Sequence, residues 1–223
     1  MKYQITGDDL PVLEIELNSG EQVVCEGGAM TYRSSAIEMQ TSFGGFGGAM
    51  SRAFSGEGMA FNLYTANQDA QILGFASKMP GEILAVNFEN GRELIVQKSA
   101  FLASTPNIER KLHFQKKIGT GLFGGEGFIM QKISGEGTAF LEIDGSLIKK
   151  ELAEGEEIVI STGHLAAYDA TATMTIESVK GVKNKFLGGE GLFNTKVVGP
   201  GVVYLQSMPI TRLAATISQQ IAR

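Results

Sequence analysis

The sequence has few of the residues that most catalytic and metal-binding sites need. Among its 223 residues are one cysteine, two histidines and no tryptophan. The lone cysteine, Cys25, excludes an internal disulfide and a site built from several thiolates, and it is typical of a reducing compartment. No uncharged stretch reaches the ~20 apolar residues of a membrane-spanning helix. The start, MKYQITGDDLP, has no signal-peptide pattern, so we expect a cytoplasmic protein.

Charged side chains are also scarce. They make up 19% of the chain, compared with a usual ~25%, which predicts that other subunits cover part of the surface. The net charge is -5 at pH 7. An acidic chain of this kind argues against binding to nucleic acid, because that affinity comes largely from neutralising phosphates with basic side chains.

Glycine is abundant, with 29 residues, and it marks a repeat that occurs three times. The first element of the repeat reads GEQVVCEGGAM from Gly20, GRELIVQKSAF from Gly91 and GEEIVISTGHL from Gly155. Each copy contains three consecutive apolar residues between turn formers: Val23–Cys25, Leu94–Val96 and Ile158–Ile160. Such short runs are typical of strands that are buried on both faces.

The second element of the repeat is a Gly-x-Gly turn followed by an alternating strand. It reads SGEGMAFNLY from Ser55, SGEGTAFLEI from Ser134 and VGPGVVYLQS from Val198, and it aligns three aromatic residues, Phe61, Phe140 and Tyr204. Glycine recurs in such turns because it adopts positive φ without steric strain and allows strands to approach closely. The repeat therefore predicts a mainly β protein and says nothing about catalysis.

We predict a single β domain over residues 1–223, built of three pseudo-symmetric repeats at about 10–80, 81–145 and 146–210. Further strands are expected where apolar residues alternate or cluster: Leu13–Leu17, Gln71–Phe75, Ile83–Phe88, Phe128–Ile133 and Ala172–Val179. A C-terminal helix is expected over 210–222, because Ile210, Leu213, Ala214, Ile217 and Ile221 share one helical face. That face is expected to pack on a sheet or on a neighbouring subunit.

Several segments resemble one known family. FASKMPGEILAV, the strand with FLAS in QKSAFLAST, and the paired FGGEGF and LGGEGLF segments are similar to bacterial members of the altered-inheritance-of-mitochondria family, a domain of unknown function. The likeness extends from about Gly20 to Ile210. It implies a β-sandwich of the double-stranded β-helix kind, grouped with the tryptophan RNA-binding attenuator-like proteins, and a homo-oligomer such as a trimer. Fungal members are mitochondrial, but this chain lacks a presequence, so a bacterial cytoplasmic member is expected.

One glycine motif suggests a cofactor site. Gly119, Gly121 and Gly124 form GxGxxG, and Asp144 follows at the distance where a ribose-binding acid is found in dinucleotide-binding folds. That fingerprint requires a helix directly after the glycines, whereas FIMQKISGEG is β-prone and contains two more glycines. We therefore predict no cofactor.

The two histidines are the next candidates. A double-stranded β-helix fold often holds a metal, but such sites need two or three imidazoles that converge with a carboxylate. Only His113 and His164 exist, and no metal site is predicted. His164 replaces Ala29 and Ala100 of the other copies, so it is either a specialisation of one repeat, and a weak catalytic candidate, or a partly buried imidazole bonded to the backbone.

Four glutamates occupy equivalent turns. Glu126 and Glu190 lie in the GGEG turns of the second and third copies, and Glu57 and Glu136 lie in the SGEG turns of the first and second. If the pseudo-symmetry gathers them, they could bind a ligand or perform acid/base chemistry. The alternative is that they are solvated loop residues.

Two other surfaces are candidates for interaction. The segment SFGGFGGAMSRAF contains four bulky apolar residues, Phe43, Phe46, Met50 and Phe54. It is interpreted either as a contact with a subunit, an apolar ligand or a membrane surface, or as a core hairpin. Two lysine clusters, one around Lys111, Lys116 and Lys117 and one at Lys180, Lys183 and Lys185, could bind phosphates or RNA or could be solvated strand edges.

Three functions remain after this reading. The leading hypothesis is a non-enzymatic, oligomeric β module that binds or scaffolds a ligand or protein partner through its glycine-rich loops. The first alternative is a small-molecule enzyme that uses carboxylates and His164 in a pocket between repeats. The second is RNA or anionic-ligand binding.

Overall fold

The computed structural model describes residues 1–43, 54–55, 60–116, 127–178 and 193–221. The chain divides into two compact units, Met1–Ile143 and Asp144–Arg223. Both are built mainly from antiparallel strands, and the second ends in a helix. The prediction of a mainly β protein with a short C-terminal helix is confirmed.

The first unit contains strands β1 to β13 and nearly all of β14. Their bounds are β1 Lys2–Thr6, β2 Val12–Leu17, β3 Gln22–Glu26, β4 Tyr32–Arg33, β5 Ile37–Phe43, β6 Phe54–Ser55, β7 Ala60–Ala66, β8 Gln71–Ala76, β9 Gly81–Phe88, β10 Leu94–Gln97, β11 Phe101–Ser104, β12 Ile108–Lys116, β13 Phe128–Gly135 and β14 Gly137–Asp144. A four-stranded sheet has the order β1-β2-β8-β4, and a six-stranded sheet has the order β5-β7-β3-β11-β14-β9. A further set pairs β10, β13, β12 and β6 in that order.

The core of the first unit lies between the four-stranded and six-stranded sheets. Alternate residues of β2 and β8, such as Leu13, Ile15 and Phe75, form one buried cluster with side chains of the six-stranded sheet, such as Tyr64 and Phe140. The outward-facing residues of β2 are Val12, Glu14 and Glu16. This alternation of apolar and polar residues is why the segment forms a strand with one buried face.

The second unit contains six strands and the helix. Their bounds are β15 Leu147–Leu152, β16 Glu157–Ser161, β17 Leu165–Asp169, β18 Thr173–Ser178, β19 Phe193–Val198, β20 Gly201–Gln206 and α1 Ile210–Ile221. Within this unit β20 pairs with β15 and β17, and β19 pairs with β16 and β18. Among the described residues, no helix is long and apolar enough to span a membrane.

The individually predicted strands are confirmed. Leu13–Leu17, Gln71–Phe75, Ile83–Phe88 and Phe128–Ile133 lie in β2, β8, β9 and β13, and the fifth segment corresponds to β18, with Val179 outside the described residues. The three aligned aromatic residues are all buried: Phe61, Phe140 and Tyr204.

One prediction about the repeated apolar runs is wrong. Val23–Cys25 and Leu94–Val96 are buried, as expected, but Val159 in the third run is 64% exposed. The reason is that β16 alternates between a covered and a solvent-facing side, and Val159 shares the solvent-facing side with Lys196 of β19 and Thr175 of β18. A run of β-branched residues indicates a strand but does not determine how many of its faces are covered.

The second and third copies of the repeat share details of local geometry. Landmarks in the two copies are separated by a constant 64 residues, for example Gly91 and Gly155. In both copies a single 3-10 turn joins the two strands after the apolar run, at Lys98–Ala100 and at Thr162–His164. The next strand then has an irregular register at the same place, between Phe101 and Ala103 and between Leu165 and Ala167.

The Gly-x-Gly turns of these two copies also agree. A Cβ atom on the first glycine would lie 2.2 Å from a backbone carbonyl oxygen at Gly135 and 2.4 Å from one at Gly199. The second glycine has a φ of 136° at Gly137 and 142° at Gly201. Both positions therefore require glycine for a steric reason, which explains the motif without invoking a ligand.

Candidate functional site

His164 lies in the 3-10 turn before β17 and is half-buried. Its Nδ1 donates a hydrogen bond to the backbone carbonyl of Gln206 at 2.8 Å. The Gln206 side chain is itself tied into the turn, because its Nε2 donates to the Gly163 carbonyl and its Oε1 accepts from the Asp144 backbone amide. The structure therefore shows an imidazole bonded to the backbone, and its catalytic role stays a prediction.

The other predicted site residues are only partly covered by the described structure. Glu136 is exposed in the turn between β13 and β14, whereas Glu57, Glu126 and Glu190 lie outside the described residues. Of the apolar segment, the backbone is described at Phe43 and Phe54, which lie in β5 and β6, while Phe46 and Met50 lie outside. Whether these groups converge stays a prediction.

The basic residues are likewise only partly covered by the described structure, which includes His113. His113 and Lys111 are exposed on β12, and Lys111 Nζ lies 2.6 Å from a carboxylate oxygen of Glu109. Lys116 is the last residue of β12, and Lys117, Lys180, Lys183 and Lys185 lie outside the described residues. Burial and the nearby Lys132 lower the pKa of His113. Among the described residues, no group of three or more His, Cys, Asp and Glu side chains is placed to hold a metal.

The most unusual cluster of the first unit was not predicted from the sequence. Arg110 of β12 is only 3% exposed. Its guanidinium carbon lies 3.7 Å from the ring centroid of Phe101 and 4.3 Å from that of Phe61, so two aromatic rings flank the cation. Its Nη1 lies 3.6 Å from Oε1 of Glu26 on β3. Arg110 is thus buried beside the Glu26 carboxylate, and the two residues lie on strands of different sheets.

Loss of contact with water disfavours the charged form of both side chains. Burial raises the pKa of Glu26, and this effect exceeds the attraction of Arg110, Lys78 and Lys98. Burial also lowers the pKa of the Arg110 guanidinium. Removing two charges from water commonly offsets the gain from their attraction, so this pair is weak evidence of stabilisation.

A second ion pair lies close enough to act on the first. Glu142 of β14 is buried, and its carboxylate accepts a hydrogen bond from the Lys78 backbone amide at 2.8 Å and lies 3.3 Å from Lys78 Nζ. Glu142 contributes to the raised pKa of Glu26, and Lys78 opposes it. The four side chains form what we call the charged cluster: Glu26, Lys78, Arg110 and Glu142.

Cys25 lies beside this cluster but is not poised for chemistry. The thiol is fully buried, and burial raises its pKa to about 12. A thiol with such a pKa is almost wholly protonated at physiological pH, so it is a poor nucleophile and metal ligand. Cys25 belongs to the hydrophobic core.

A shallow pocket is present on the outer face of the four-stranded sheet. Its volume is about 250 Å³, and its lining residues are Lys2, Tyr3, Gln4, Glu14, Glu16 and Ile72. The polar groups of the lining bond to one another: Lys2 Nζ donates to Glu16, and the Gln4 amide donates to Glu14. This internal pairing is typical of a solvated sheet face, and we assign the pocket no role.

The C-terminal helix presents an apolar surface. Ile210 and Ile217 lie two turns apart on the same face, and each is 49% exposed. The predicted helix is confirmed, and whether its apolar face packs on a sheet or on a neighbouring subunit stays a prediction. Met208, two residues before the helix, is similarly exposed.

The comparisons with known proteins agree with the resemblance seen in the sequence. The family model described as Mitochondrial biogenesis AIM24 matches residues 3–208. An uncharacterised protein of Streptococcus pyogenes serotype M6 is 30% identical over 221 residues, which are 95% of this chain and 87% of that protein. A crystal structure of a Streptococcus pyogenes protein has a TM-score of 0.80 at 27% identity and covers 98% of this chain and 99% of its own.

Proposed function

The chain belongs to the mitochondrial biogenesis AIM24 family, and on that premise we propose that it is a non-enzymatic β module that assembles into homo-oligomers and serves as a scaffold. The single observation that carries this proposal is the exposed apolar face of α1, with Ile210 and Ile217 each half accessible. The glycine-rich loops then remain available to bind a protein or small ligand.

A second copy of the chain fits this face because the face lacks charge. The helix contains one charged residue among its described positions, Arg212, and no acid. Centres of protein interfaces are depleted in Lys, Glu and Asp, because a charge buried there loses its hydration. Two such faces can meet across a symmetry axis without placing like charges together. The low charged fraction of the whole chain, 19%, supports the same proposal.

Three further expectations belong to this proposal. The threefold repeat is supported by the shared turn, register and glycine geometry of the second and third copies. A trimer is the oligomer that the family resemblance implies, and a single domain over residues 1–223 is the simplest arrangement of three repeats. We also propose a bacterial cytoplasmic location; the grouping with tryptophan RNA-binding attenuator-like proteins stays a prediction.

Native mass spectrometry of the protein purified from its own host tests the oligomer. We expect an oligomer at micromolar concentration for the wild type and its dissociation in Ile217→Lys, because a lysine on the apolar face would be buried without a partner. Thr216→Lys is the matched control, because Thr216 is an exposed neighbour on the same helix. A monomeric wild type, or equal dissociation of both variants, would refute the helix contact.

A further inference from the structure

The ion pair of buried Arg110 and partly buried Glu26 occurs at positions that carry no charge in the other copies of the repeat. Glu26 stands six residues after Gly20, and the equivalent residues after Gly91 and Gly155 are Gln97 and Ser161. Arg110 lies opposite Ile133 in the β12–β13 pair. The residue 64 positions later is Met174, which lies opposite Val197 in the β18–β19 pair. Charge is therefore not required at these positions for the local strand pairing.

We propose that the Glu26–Arg110 pair is a registry device, which makes the first copy of the repeat pair with the second and not with the third. The inference rests on the threefold repeat proposed above and is independent of the helix contact. Polar groups inside a protein can specify one arrangement of strands or helices, although they lower its stability.

In a chain with similar repeats, a strand of one copy can pair with the wrong copy, and an ion pair between the correct copies disfavours this. Strand β3 pairs with β11, where Ala103 lies opposite Cys25 and Ser104 opposite Val24. The equivalent strand of the third copy, β17, has an alanine at the same position, Ala167, and the same irregular register. Incorrect pairing between related units is a characteristic failure of proteins with internal repeats.

The charges discriminate between these two partners. In the native pairing, the carboxylate of Glu26 meets the guanidinium of Arg110, which Phe61 of the first copy and Phe101 of the second flank. If β3 paired with β17, the residue equivalent to Arg110 would be Met174. Buried Arg110 would then lose the carboxylate of Glu26, and removing one partner of such a pair is strongly unfavourable for the charge that stays buried.

A pair of cysteine reporters tests the proposal directly in the full chain, because Cys25 is the only natural cysteine. Ala103→Cys places a second thiol opposite Cys25, within the Cα separation that a disulfide needs, and reports the native pairing. Ala167→Cys places it at the equivalent position of the third copy and reports the mispairing. Each reporter is denatured, refolded and oxidised in the parental background and in Glu26→Gln/Arg110→Met, which carries the residues of the other copies.

We expect the parental protein to form the Cys25 crosslink with the residue 103 reporter. In Glu26→Gln/Arg110→Met we expect the crosslink with the residue 167 reporter to rise severalfold above its parental level. Urea unfolding gives the second readout: Arg110→Met alone is expected to raise the unfolded fraction about a hundredfold or more, while the double variant stays within about tenfold of the parent. Arg110→Lys, which keeps the charge, is the conservative control and should retain native crosslinking.

Three results would overturn the proposal. One is a double variant that is stable but shows no increase in the residue 167 crosslink. Another is a double variant that does not fold, because uncharged residues would then be intolerable at these positions. The third is additivity of the two single substitutions, which would show that the charges are not coupled. Native mass spectra of the same samples report the oligomeric state separately, so failure of the scaffold proposal remains distinguishable.

Discussion

The ring of Tyr32 lies over the backbone of Gly74 on the adjacent strand. The two residues are paired across β4 and β8, and a Cβ atom on Gly74 would lie 2.3 Å from Cζ of Tyr32. The Tyr32 hydroxyl donates a hydrogen bond to Glu14 on β2. The Tyr32 ring thus fills the space that a side chain at position 74 would occupy. Its hydrogen bond also joins β4 to β2.

Gly74→Ala is expected to displace the Tyr32 ring. The added methyl group occupies the position of the ring, which is the far end of an exposed side chain and can rotate away, so we expect a loss of only about 1 kcal/mol, mainly from the hydrogen bond to Glu14. Urea unfolding measures the loss. Repeating Gly74→Ala in a Tyr32→Ala background is the control, because the alanine should then be tolerated. Equal losses in the two backgrounds would show that the ring contact is not the cause.

Gly135→Ala is expected to be far more damaging than Gly155→Ala. At Gly135 the φ is 112° and the new Cβ would lie 2.2 Å from the backbone carbonyl oxygen of Asn107, so we expect a loss of about 3 kcal/mol or more. Gly155 has a φ of 75° but open space around it, so only the backbone strain of about 1 kcal/mol should remain. Thermal unfolding of both variants measures the difference, and similar losses would contradict the steric explanation.

The periodicity of the sequence predicts the strands well because each depends on residues that are close in the chain. Alternation in Leu13–Leu17 and the Gly-x-Gly turns at Gly135 and Gly199 are local signals, and the structure confirms both. The exposure of Val159 could not be predicted, since it depends on which face of the three-stranded sheet is covered.

The charged cluster has no local signal. Glu26 and Arg110 are far apart in the chain, and Arg110 stands between two other charged residues, Glu109 and Lys111, so nothing in the sequence sets it apart. Only the fold brings them together, and only the comparison of equivalent positions in the repeats could have drawn attention to them, because Gln97, Ser161 and Met174 are uncharged. For the helix, the apolar face could be predicted from the sequence, but the exposure of Ile210 on that face could not.

Asp144→Ala is expected to loosen the start of α1. The Asp144 carboxylate accepts a hydrogen bond from the backbone amide of Ile210 at 2.9 Å, and that amide has no partner within the helix. Losing such a cap commonly costs about 1 kcal/mol. Circular dichroism should show less helix, and Asp144→Asn, which keeps an acceptor oxygen, should preserve most of it. Unchanged helicity in Asp144→Ala would contradict the capping role.

Glu26 should make the protein less stable as the pH rises above 4.5. Its folded-state pKa is raised from 4.5, chiefly by burial, so between 4.5 and the folded value the native state binds more protons than the unfolded state. The stability that this group contributes is therefore fully present below 4.5 and is lost as the pH rises through the folded pKa.

Urea unfolding of the wild type and Glu26→Gln between pH 4 and 7 isolates the effect, because glutamine resembles the protonated side chain. We expect the stability difference between the two proteins to change with pH in that direction. Glu21 provides the opposite control: the Asn18 backbone amide lowers its pKa, so the stability it contributes should be lost as the pH falls. A difference between the wild type and Glu26→Gln that does not vary with pH would show that burial does not penalise the charged form of Glu26.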